Sequence, residues 1–217
     1  MHYLICVLLY AVGAVTSENV TVLNAAIPTM DNNQEPVVIH LFYESHCPYS
    51  MGFYNDNFKP IVELLGPRLE IHTYPYGNAV TKEVNGTYEF ECQHGPNECY
   101  GNKLHACAID VLQNVEKYVL YNGCLMNQTR VDRGSNDETA ENCGKLQNID
   151  SEPIKNCARG DKGINLLKNY GEETKKLHIN RVPHIIINDH ERNRNNFQHD
   201  VCAALKNPPE PCKEEEK

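Results

Sequence analysis

The sequence predicts an α/β fold with a cysteine-rich helical insertion, and three observations support this prediction. A nearly unbroken run of β-branched and aromatic residues, 37–43, leads into Cys47 and Pro48 at a helix start. A second strand pattern follows at residues 69–74. Over about residues 92–178, apolar side chains recur in steps of three and four, which is typical of helices.

The first strand and the helix after it place a cysteine at a helix N-terminus. The run 37–43 favours a central strand that is covered on both faces. Pro48 suits the first turn of a helix, because its missing N–H would have no partner there. We therefore expect Cys47 to lie at the start of a helix that continues to about Leu65, with an interruption at Pro60.

The next elements complete a strand-helix-strand unit. Alternating apolar residues predict a second strand over 69–74, after a break at Gly66 and Pro67. The right-handed crossover rule predicts that the two strands pair in parallel. The β pattern returns at residues 182–188, and a short helix is expected around Val201, Cys202 and Leu205.

The first seventeen residues predict a signal peptide. They carry no formal charge and hold an apolar core that ends in small residues. A membrane anchor would need about 20 apolar residues, so we expect cleavage after Ser17, no membrane anchor, and one mature domain over 18–217. Three sequons predict N-glycosylation at Asn19, Asn85 and Asn127.

Charge and composition exclude several classes of partner. The chain has 217 residues, with 20 basic and 29 acidic side chains and 41% hydrophobic residues. This composition is typical of globular proteins. The net charge is −9 and the sequence has no basic cluster, so it offers no positively charged surface for nucleic acid or anionic lipid.

The cysteine count leaves one thiol without a partner. Loss of Cys6 with the signal peptide leaves nine of the ten cysteines. In an oxidising secretory pathway, disulfides are the default for most of them. Four bridges would leave one thiol over, and the count alone fixes neither its identity nor the connectivity of the others.

The environment of Cys47 predicts a nucleophilic sulfur. The helix dipole and the free N–H groups of a first turn stabilise a thiolate, and a protonated His46 would add to this effect. Val182 and Pro183 open the later strand, where a cis proline before an outer-edge strand would place the Val182 backbone opposite the sulfur. Thioredoxin-like proteins use this arrangement to expose one sulfur.

The segment from Cys92 to Cys107 resembles the signature of the gamma-interferon-inducible lysosomal thiol reductase (GILT) family. The matching residues are Cys92, Gln93, His94, Gly95, Glu98, Cys99, Asn102 and Cys107. The resemblance implies a thioredoxin-like fold with a disulfide-stapled helical insertion. It also implies secretion or delivery to lysosomes, and reduction of protein disulfides at acidic pH.

One departure from the family pattern concerns the reaction itself. The family's Cys-x-x-Cys site is replaced by Cys47, Pro48, Tyr49 and Ser50. In a dithiol reductase the second thiol resolves the mixed disulfide, and a serine hydroxyl cannot displace the substrate sulfur. Cys47 then becomes the unpaired cysteine, and the eight expected in structural disulfides are Cys92, Cys99, Cys107, Cys124, Cys143, Cys157, Cys202 and Cys212.

These observations predict a secreted GILT-like protein with a degenerate active site and weak or absent reductase turnover. The favoured function is a binding module on a thioredoxin scaffold. The alternative is monothiol exchange, isomerisation or covalent client trapping through Cys47. Expected partners are proteins or disulfide-containing clients, without a cofactor, and the alternative location is the lysosome.

Three further interpretations of the sequence stay open. The zinc-ligand types Cys92, His94, Cys99, His105 and Cys107 could form a metal site, but disulfides are favoured in a secreted chain, so no metal is expected. Cys47 could pair with His94 or His184 in a cysteine protease, although nothing in the sequence fixes an oxyanion hole. Cys47 could also be a buried inert thiol, and Tyr49 is expected to shape access to it.

Overall fold

The structure is a computed structural model, and it describes residues 35–132 and 134–213. The predicted signal peptide, residues 1–17, and the sequon at Asn19 lie outside the described residues. Within the described part of the chain, no helix is both long and apolar enough to cross a membrane.

Both ends of the described chain contain strands and helices, and its middle contains helices alone. The strands are β1 (Val37–Tyr43), β2 (Leu69–Pro75), β3 (Val80–Val84), β4 (Thr87–Glu91), β5 (His184–Ile187) and β6 (His190–Arg192). The helices are α1 (Pro48–Phe53), α2 (Lys59–Leu65), α3 (Pro96–Leu112), α4 (Val115–Asp132), α5 (Asp137–Gln147), α6 (Glu152–Arg159), α7 (Asp161–Lys176), α8 (Phe197–Ala204) and α9 (Glu210–Lys213).

The central sheet has the strand order β2-β1-β5-β6. β1 is parallel to β2, which confirms the predicted strand-helix-strand unit, and it is antiparallel to β5. The strand after Pro183, β5, was expected at the outer edge of the sheet. This prediction is wrong, because β6 pairs with β5 on the side away from β1. Asn188 and Asp189 both have positive φ, so they form a two-residue hairpin turn that adds this edge strand.

The predicted helix after Cys47 is present, and its interruption is a π-helical turn. Pro48 occupies the first turn of α1, and the π turn Tyr54–Phe58 joins α1 to α2. Pro60 lies in the first turn of α2. Pro60 has no N–H, so it cannot donate the usual α-helical hydrogen bond to the carbonyl oxygen four residues earlier. The wider π turn before it lets the helix continue without that bond.

The face of β1 that carries alternate apolar residues packs into the main core. Ile39, Leu41 and Tyr43 are fully buried there against side chains of α1, the π turn and α2. A second core lies among the helices of the insertion and includes Leu125 and Ile154. Burial of apolar surface on this scale is the main driving force of folding, and it fixes the position of the chain that leaves β1.

Five helices, α3 to α7, occupy the chain between β4 and β5. They correspond to the predicted helical insertion at about 92–178. Two disulfides join these helices: Cys107 to Cys157 connects α3 with α6, and Cys124 to Cys143 connects α4 with α5. The remaining pairs are Cys92 with Cys99 and Cys202 with Cys212. All eight cysteines expected in bridges are therefore paired.

The hairpin formed by β3 and β4 was not predicted from the sequence. Its two-residue turn is Asn85 and Gly86, and both residues have positive φ. Asn-Gly is the strongest short signal for this turn, and Asn85 also belongs to a sequon. Asn85 and Asn127 are both exposed, and their glycosylation stays a prediction.

Candidate active site

Cys47 is the N-cap residue of α1 and the free thiol of the site. Its backbone is extended, and its carbonyl oxygen accepts a hydrogen bond from the Met51 N–H at 2.9 Å. The residue is 7% exposed, whereas Pro48 and Tyr49 beside it are exposed. Among the described cysteines it is the one outside a disulfide. Cys47 therefore lies just below the surface, at the start of α1.

Ser50 lies inside the protein, one helical turn after Cys47. It is fully buried, and its Oγ accepts a hydrogen bond from the backbone N–H of Glu44 at 3.4 Å. Glu44 belongs to the loop 44–47 that connects β1 to α1. The position expected for a resolving thiol thus holds a hydroxyl that helps to fix this loop.

Pro183 lies at the same end of the sheet as Cys47. The peptide bond between Val182 and Pro183 is cis, as the sequence analysis expected. Phe42, next to the last residue of β1, is the register partner of His184, the first residue of β5. Pro183 therefore precedes β5 where β1 ends and the loop to Cys47 begins.

Side-chain and backbone atoms of α3 hold the loop 44–47 in place by hydrogen bonds. The Ser45 N–H donates to Asn102 Oδ1 at 2.9 Å, and the Ser45 hydroxyl donates to the Glu98 carbonyl oxygen at 3.2 Å. A Cβ at Gly101 would lie 2.6 Å from the Ser45 hydroxyl oxygen, so only glycine permits this close approach. The signature segment therefore positions the thiol through the loop before it.

His46 lies on this loop and is held in its neutral form. Burial, with a smaller contribution from the charge of His94, lowers the pKa of His46 to about 4. Its Nδ1 lies 3.2 Å from the Ser45 hydroxyl oxygen. A protonated His46 that assists Cys47 is therefore contradicted by its surroundings, because burial disfavours the charged imidazole.

Two buried carboxyl groups meet the imidazole of His94 beside the loop. His94 Nδ1 lies 2.5 Å from Glu98 Oε2 and 3.5 Å from Glu44 Oε2. Glu44 Oε1 accepts a hydrogen bond from the Asn78 N–H at 2.7 Å. Burial raises the pKa of Glu44 to about 7, and the nearby charge of Glu98 also raises it. We refer to Glu44, His94 and Glu98 as the Glu-His-Glu cluster.

Comparison with known proteins decides the family. Residues 38–147 match the family model for gamma interferon inducible lysosomal thiol reductase (GILT). Over 197 residues, the chain is 34% identical to a gamma-interferon-inducible lysosomal thiol reductase-like protein of Anopheles gambiae, an alignment that covers 82% of this chain and 81% of that protein. This chain belongs to the GILT family.

A further GILT relative agrees with this assignment, and two solved structures share the fold. The mouse gamma-interferon-inducible lysosomal thiol reductase is 31% identical over 161 residues, which cover 71% of this chain and 61% of the mouse protein. The thiol-disulfide exchange protein alpha-DsbA2 of Wolbachia pipientis superposes with a TM-score of 0.55 at 16% identity, covering 80% of this chain and 84% of that one. A thioredoxin-like oxidoreductase of Silicibacter pomeroyi gives 0.51 at 15% identity, covering 78% and 86%. These structures confirm the predicted thioredoxin-like fold.

The zinc site considered from the sequence is ruled out in this GILT chain. Cys92, Cys99 and Cys107 are all in disulfides. His105 is fully buried and its Nδ1 lies 3.0 Å from the Tyr43 hydroxyl oxygen. A disulfide sulfur is not a thiolate and cannot act as the metal ligand that the pattern suggested.

The protease alternative lacks a histidine that is directed at the thiol. His94 contacts Glu44 and Glu98, as described above. His184 Nδ1 lies 3.5 Å from Glu191, and its ring meets Phe42 edge-on. Both imidazoles are engaged away from Cys47, so the geometry does not form a nucleophile-base pair of the kind that a cysteine protease needs.

Tyr49 and Arg194 border an open cavity beside α1. Tyr49 is 65% exposed, and the Arg194 guanidinium lies 4.9 Å from its ring centroid. The cavity has a volume of about 430 Å³ and is also lined by Pro48 and Phe53. Sequence reasoning found Tyr49 but missed Arg194, which the chain supplies from a distant 3-10 turn with no local signal.

Proposed function

We propose that this GILT chain lacks dithiol reductase turnover and engages partner proteins at the Cys47 site, where the thiol forms mixed disulfides with clients. The observation that carries the proposal is the pairing of the described cysteines. Cys47 is free, the other eight are bridged, and Ser50 lies one turn after the thiol. The site thus retains a nucleophile and has no second thiol beside it.

The proposed step is a single thiol-disulfide exchange. The Cys47 thiolate attacks one sulfur of a client disulfide, a new bond joins the two sulfurs, and the other client sulfur leaves as a thiolate that takes a proton from solvent. The Ser50 hydroxyl cannot repeat this attack. An external low-molecular-weight thiol can then displace Cys47, which regenerates the free thiol and leaves the external sulfur in a disulfide with the client.

A second candidate is a binding module that uses no thiol chemistry. The low exposure of Cys47, 7% against 65% for Tyr49, favours it. Tyr49, Arg194 and the cavity between them would then contact the partner, and an aromatic ring beside a guanidinium is a common recognition pair. In both cases we place the protein outside the cell or in the lysosome, because the sequence predicts a signal peptide.

Insulin reduction, measured at acidic and neutral pH as release of fully reduced chains without external thiol, tests the loss of the dithiol reaction. We expect the native chain to be at or near background and Ser50→Cys to exceed it by at least about tenfold, because the new thiol can resolve the mixed disulfide. Ser50→Ala is the matched control, since it removes the hydroxyl without adding a thiol, and it should match the native chain. Equal rates for the native chain and Ser50→Cys would overturn the proposal.

Cys47→Ala separates the two candidates. If clients are held through the thiol, this variant loses their capture under non-reducing conditions. Retention of partner binding by Cys47→Ala, combined with its loss on Tyr49→Ala, would favour the binding module and contradict mixed-disulfide formation as the mode of engagement.

A further inference from the structure

The Glu-His-Glu cluster draws ligand-type atoms from separate segments of the chain. Glu44 follows β1, His94 precedes α3, and Glu98 lies in the first turn of α3. One oxygen of each carboxyl group and one imidazole nitrogen lie within 4.8 Å of one another. Two carboxylates and one imidazole form a donor set that suits a divalent transition cation.

One atom of the cluster is buried without a hydrogen-bond partner. Glu44 is fully buried, and its Oε2 accepts no hydrogen bond among the described residues. This oxygen lies on the side of His94, 3.5 Å from its Nδ1, whereas Oε1 is bound by the Asn78 N–H. A buried carboxylate oxygen that accepts no hydrogen bond is costly, so this atom indicates that the site is completed by a ligand.

The charges around the cluster point to a cation as that ligand. Glu44 and Glu98 are both fully buried, and His94 is their ion-pair partner in the described part of the chain. No lysine or arginine pairs with either carboxyl group among the described residues. When Glu44 and Glu98 are both ionised, their two negative charges exceed the one positive charge of a protonated His94, and buried charges need to be paired or to coordinate metal.

The protein holds the two glutamates of the cluster in fixed positions, and solvent reaches the cluster at His94. The disulfide between Cys92 and Cys99 encloses the segment that carries His94 and Glu98. A Cβ at Gly77 would lie 2.2 Å from Cγ of Glu44, so the backbone packs closely against that side chain. The His94 side chain is 31% exposed and gives an ion a route from solvent.

We propose that Glu44, His94 and Glu98 bind one divalent cation of the zinc type through Glu44 Oε2, His94 Nδ1 and Glu98 Oε2, with water in the remaining position. Ligand bonds of about 2.0–2.2 Å place neighbouring ligand atoms roughly 3.3 Å apart in a tetrahedral site. The 3.5 Å separation fits this value. The 2.5 Å hydrogen bond between His94 and Glu98 has to open by a small rotation of the exposed imidazole, which loses its Nδ1 proton to solvent.

The site is independent of the thiol chemistry proposed for Cys47. It shares only His94 with the cysteine-containing set ruled out above, and none of its ligands is a cysteine. An ion there would tie the loop 44–47 to the start of α3, and so would add a third link to the two hydrogen bonds that Ser45 makes with that helix.

Isothermal titration with ZnCl₂ tests the site, using the oxidised mature chain with Cys47→Ser so that no free thiol can bind zinc. We expect one saturable site per chain at neutral pH. His94→Ala and Glu98→Gln should each weaken the affinity at least about tenfold, because each removes a direct ligand. His72→Ala is the matched control: it removes another histidine paired with a glutamate, Glu70, at 2.8 Å, and it should bind like the parent.

Absence of saturable binding, or equal affinity in His94→Ala, Glu98→Gln and the parent, would overturn the proposal. X-ray absorption of the zinc-loaded parent keeps the test independent of how the variants fold. One imidazole with oxygen ligands is the expected first shell. Sulfur, or more than one imidazole, would place the ion elsewhere and contradict the site.

Discussion

The loop 44–47 and the helical insertion are held in place by different means. Within the insertion, covalent bridges join α3 to α6 and α4 to α5. The loop has no bridge of its own and is fixed by hydrogen bonds from Ser45 to α3. A covalently braced scaffold thus supports a non-covalently held loop, and Cys47 at the end of that loop stays outside the disulfides.

The two regions also differ in where their ionisable groups lie. Around the loop, Glu44 and His46 of the loop itself and Glu98 and His105 on the part of α3 beside it are buried or partly buried. On the other helices of the insertion, ion pairs such as Lys145 with Glu141 are exposed. Exposed pairs contribute little to stability, whereas buried groups couple protonation to folding. We therefore expect disulfide loss to act through the insertion and pH to act through the loop.

Removal of the bridge between α3 and α6 should have the largest effect on stability. Cys107 and Cys157 are 50 residues apart, so the bridge closes the longest disulfide loop in the described chain. The chain-entropy relation gives a loss of about 4 kcal/mol in the free energy of unfolding for Cys107→Ala with Cys157→Ala. Denaturant unfolding measures this value.

The matched control is the bridge between Cys202 and Cys212, which are 10 residues apart. Its removal is expected to cost about 3 kcal/mol by the same relation. Equal or reversed losses for the two double variants would show that loop length does not govern the stability of this scaffold.

Acidification should destabilise the protein through the buried histidines. Burial lowers the pKa of His105 to about 3 and that of His46 to about 4, so between pH 6.5 and these values the unfolded chain binds more protons. Stability that is present above pH 6.5 is therefore lost as pH falls, by up to about 1.4 kcal/mol per pH unit for each group. His105→Gln should flatten the curve of unfolding free energy against pH, and His199→Gln, at an exposed site, should leave it unchanged.

Glu44 acts in the opposite direction in part of the same range. Its folded pKa of about 7 lies above its ordinary value, so the folded chain binds more protons between about pH 4.5 and 7. Its burial penalty is relieved as pH falls through this window. Glu44→Gln should therefore steepen the loss of stability on acidification, and a curve parallel to that of the native chain would contradict this assignment.

Loss of the support under the loop should have a smaller effect on stability and a specific effect on the thiol. Asn102→Ala removes the buried acceptor of the Ser45 N–H and should cost about 1–3 kcal/mol. Because the loop is then freed, the rate of Cys47 alkylation by iodoacetamide should rise. Asn165→Ala, at an exposed position on α7, is the control for which neither quantity should change.

The smallest effect is expected for an exposed ion pair on the insertion. Lys145→Ala removes the contact with Glu141, and both side chains are at least half exposed. Such pairs are screened by solvent, so the thermal midpoint should stay within experimental error. A clear decrease would show that surface charges stabilise the insertion as its disulfides do.

The sequence was sufficient for features that have a local cause. The apolar run gave strand β1, Pro48 marked the start of α1, and the odd cysteine count with Ser50 identified Cys47 as the free thiol. The partners of the other cysteines were not predictable, because several connectivities fit the same spacing. The hairpin of β3 and β4 was missed because neither strand has a buried residue and β3 lacks a clear alternation, although β4 alternates exposed and partly buried residues.

Much of the candidate site depends on contacts between distant parts of the chain. Ser45 and Asn102 are 57 residues apart, and Asn78 meets Glu44 across 34 residues. No local pattern marks Glu44 as buried, since a glutamate after a strand is ordinarily solvated. The loop support and the Glu-His-Glu cluster therefore became visible only once the tertiary contacts of α3 were known.

The lifetime of the mixed disulfide at Cys47 tests the central claim most directly. The native chain and Ser50→Cys are incubated with a peptide that carries one disulfide, and intact mass is followed over time without external thiol. We expect the native chain to form one adduct, mapped to Cys47, that persists until glutathione is added, while the Ser50→Cys adduct decays unaided to released peptide thiol. A native adduct that resolves as fast as that of Ser50→Cys, or an adduct on another cysteine, would contradict the account.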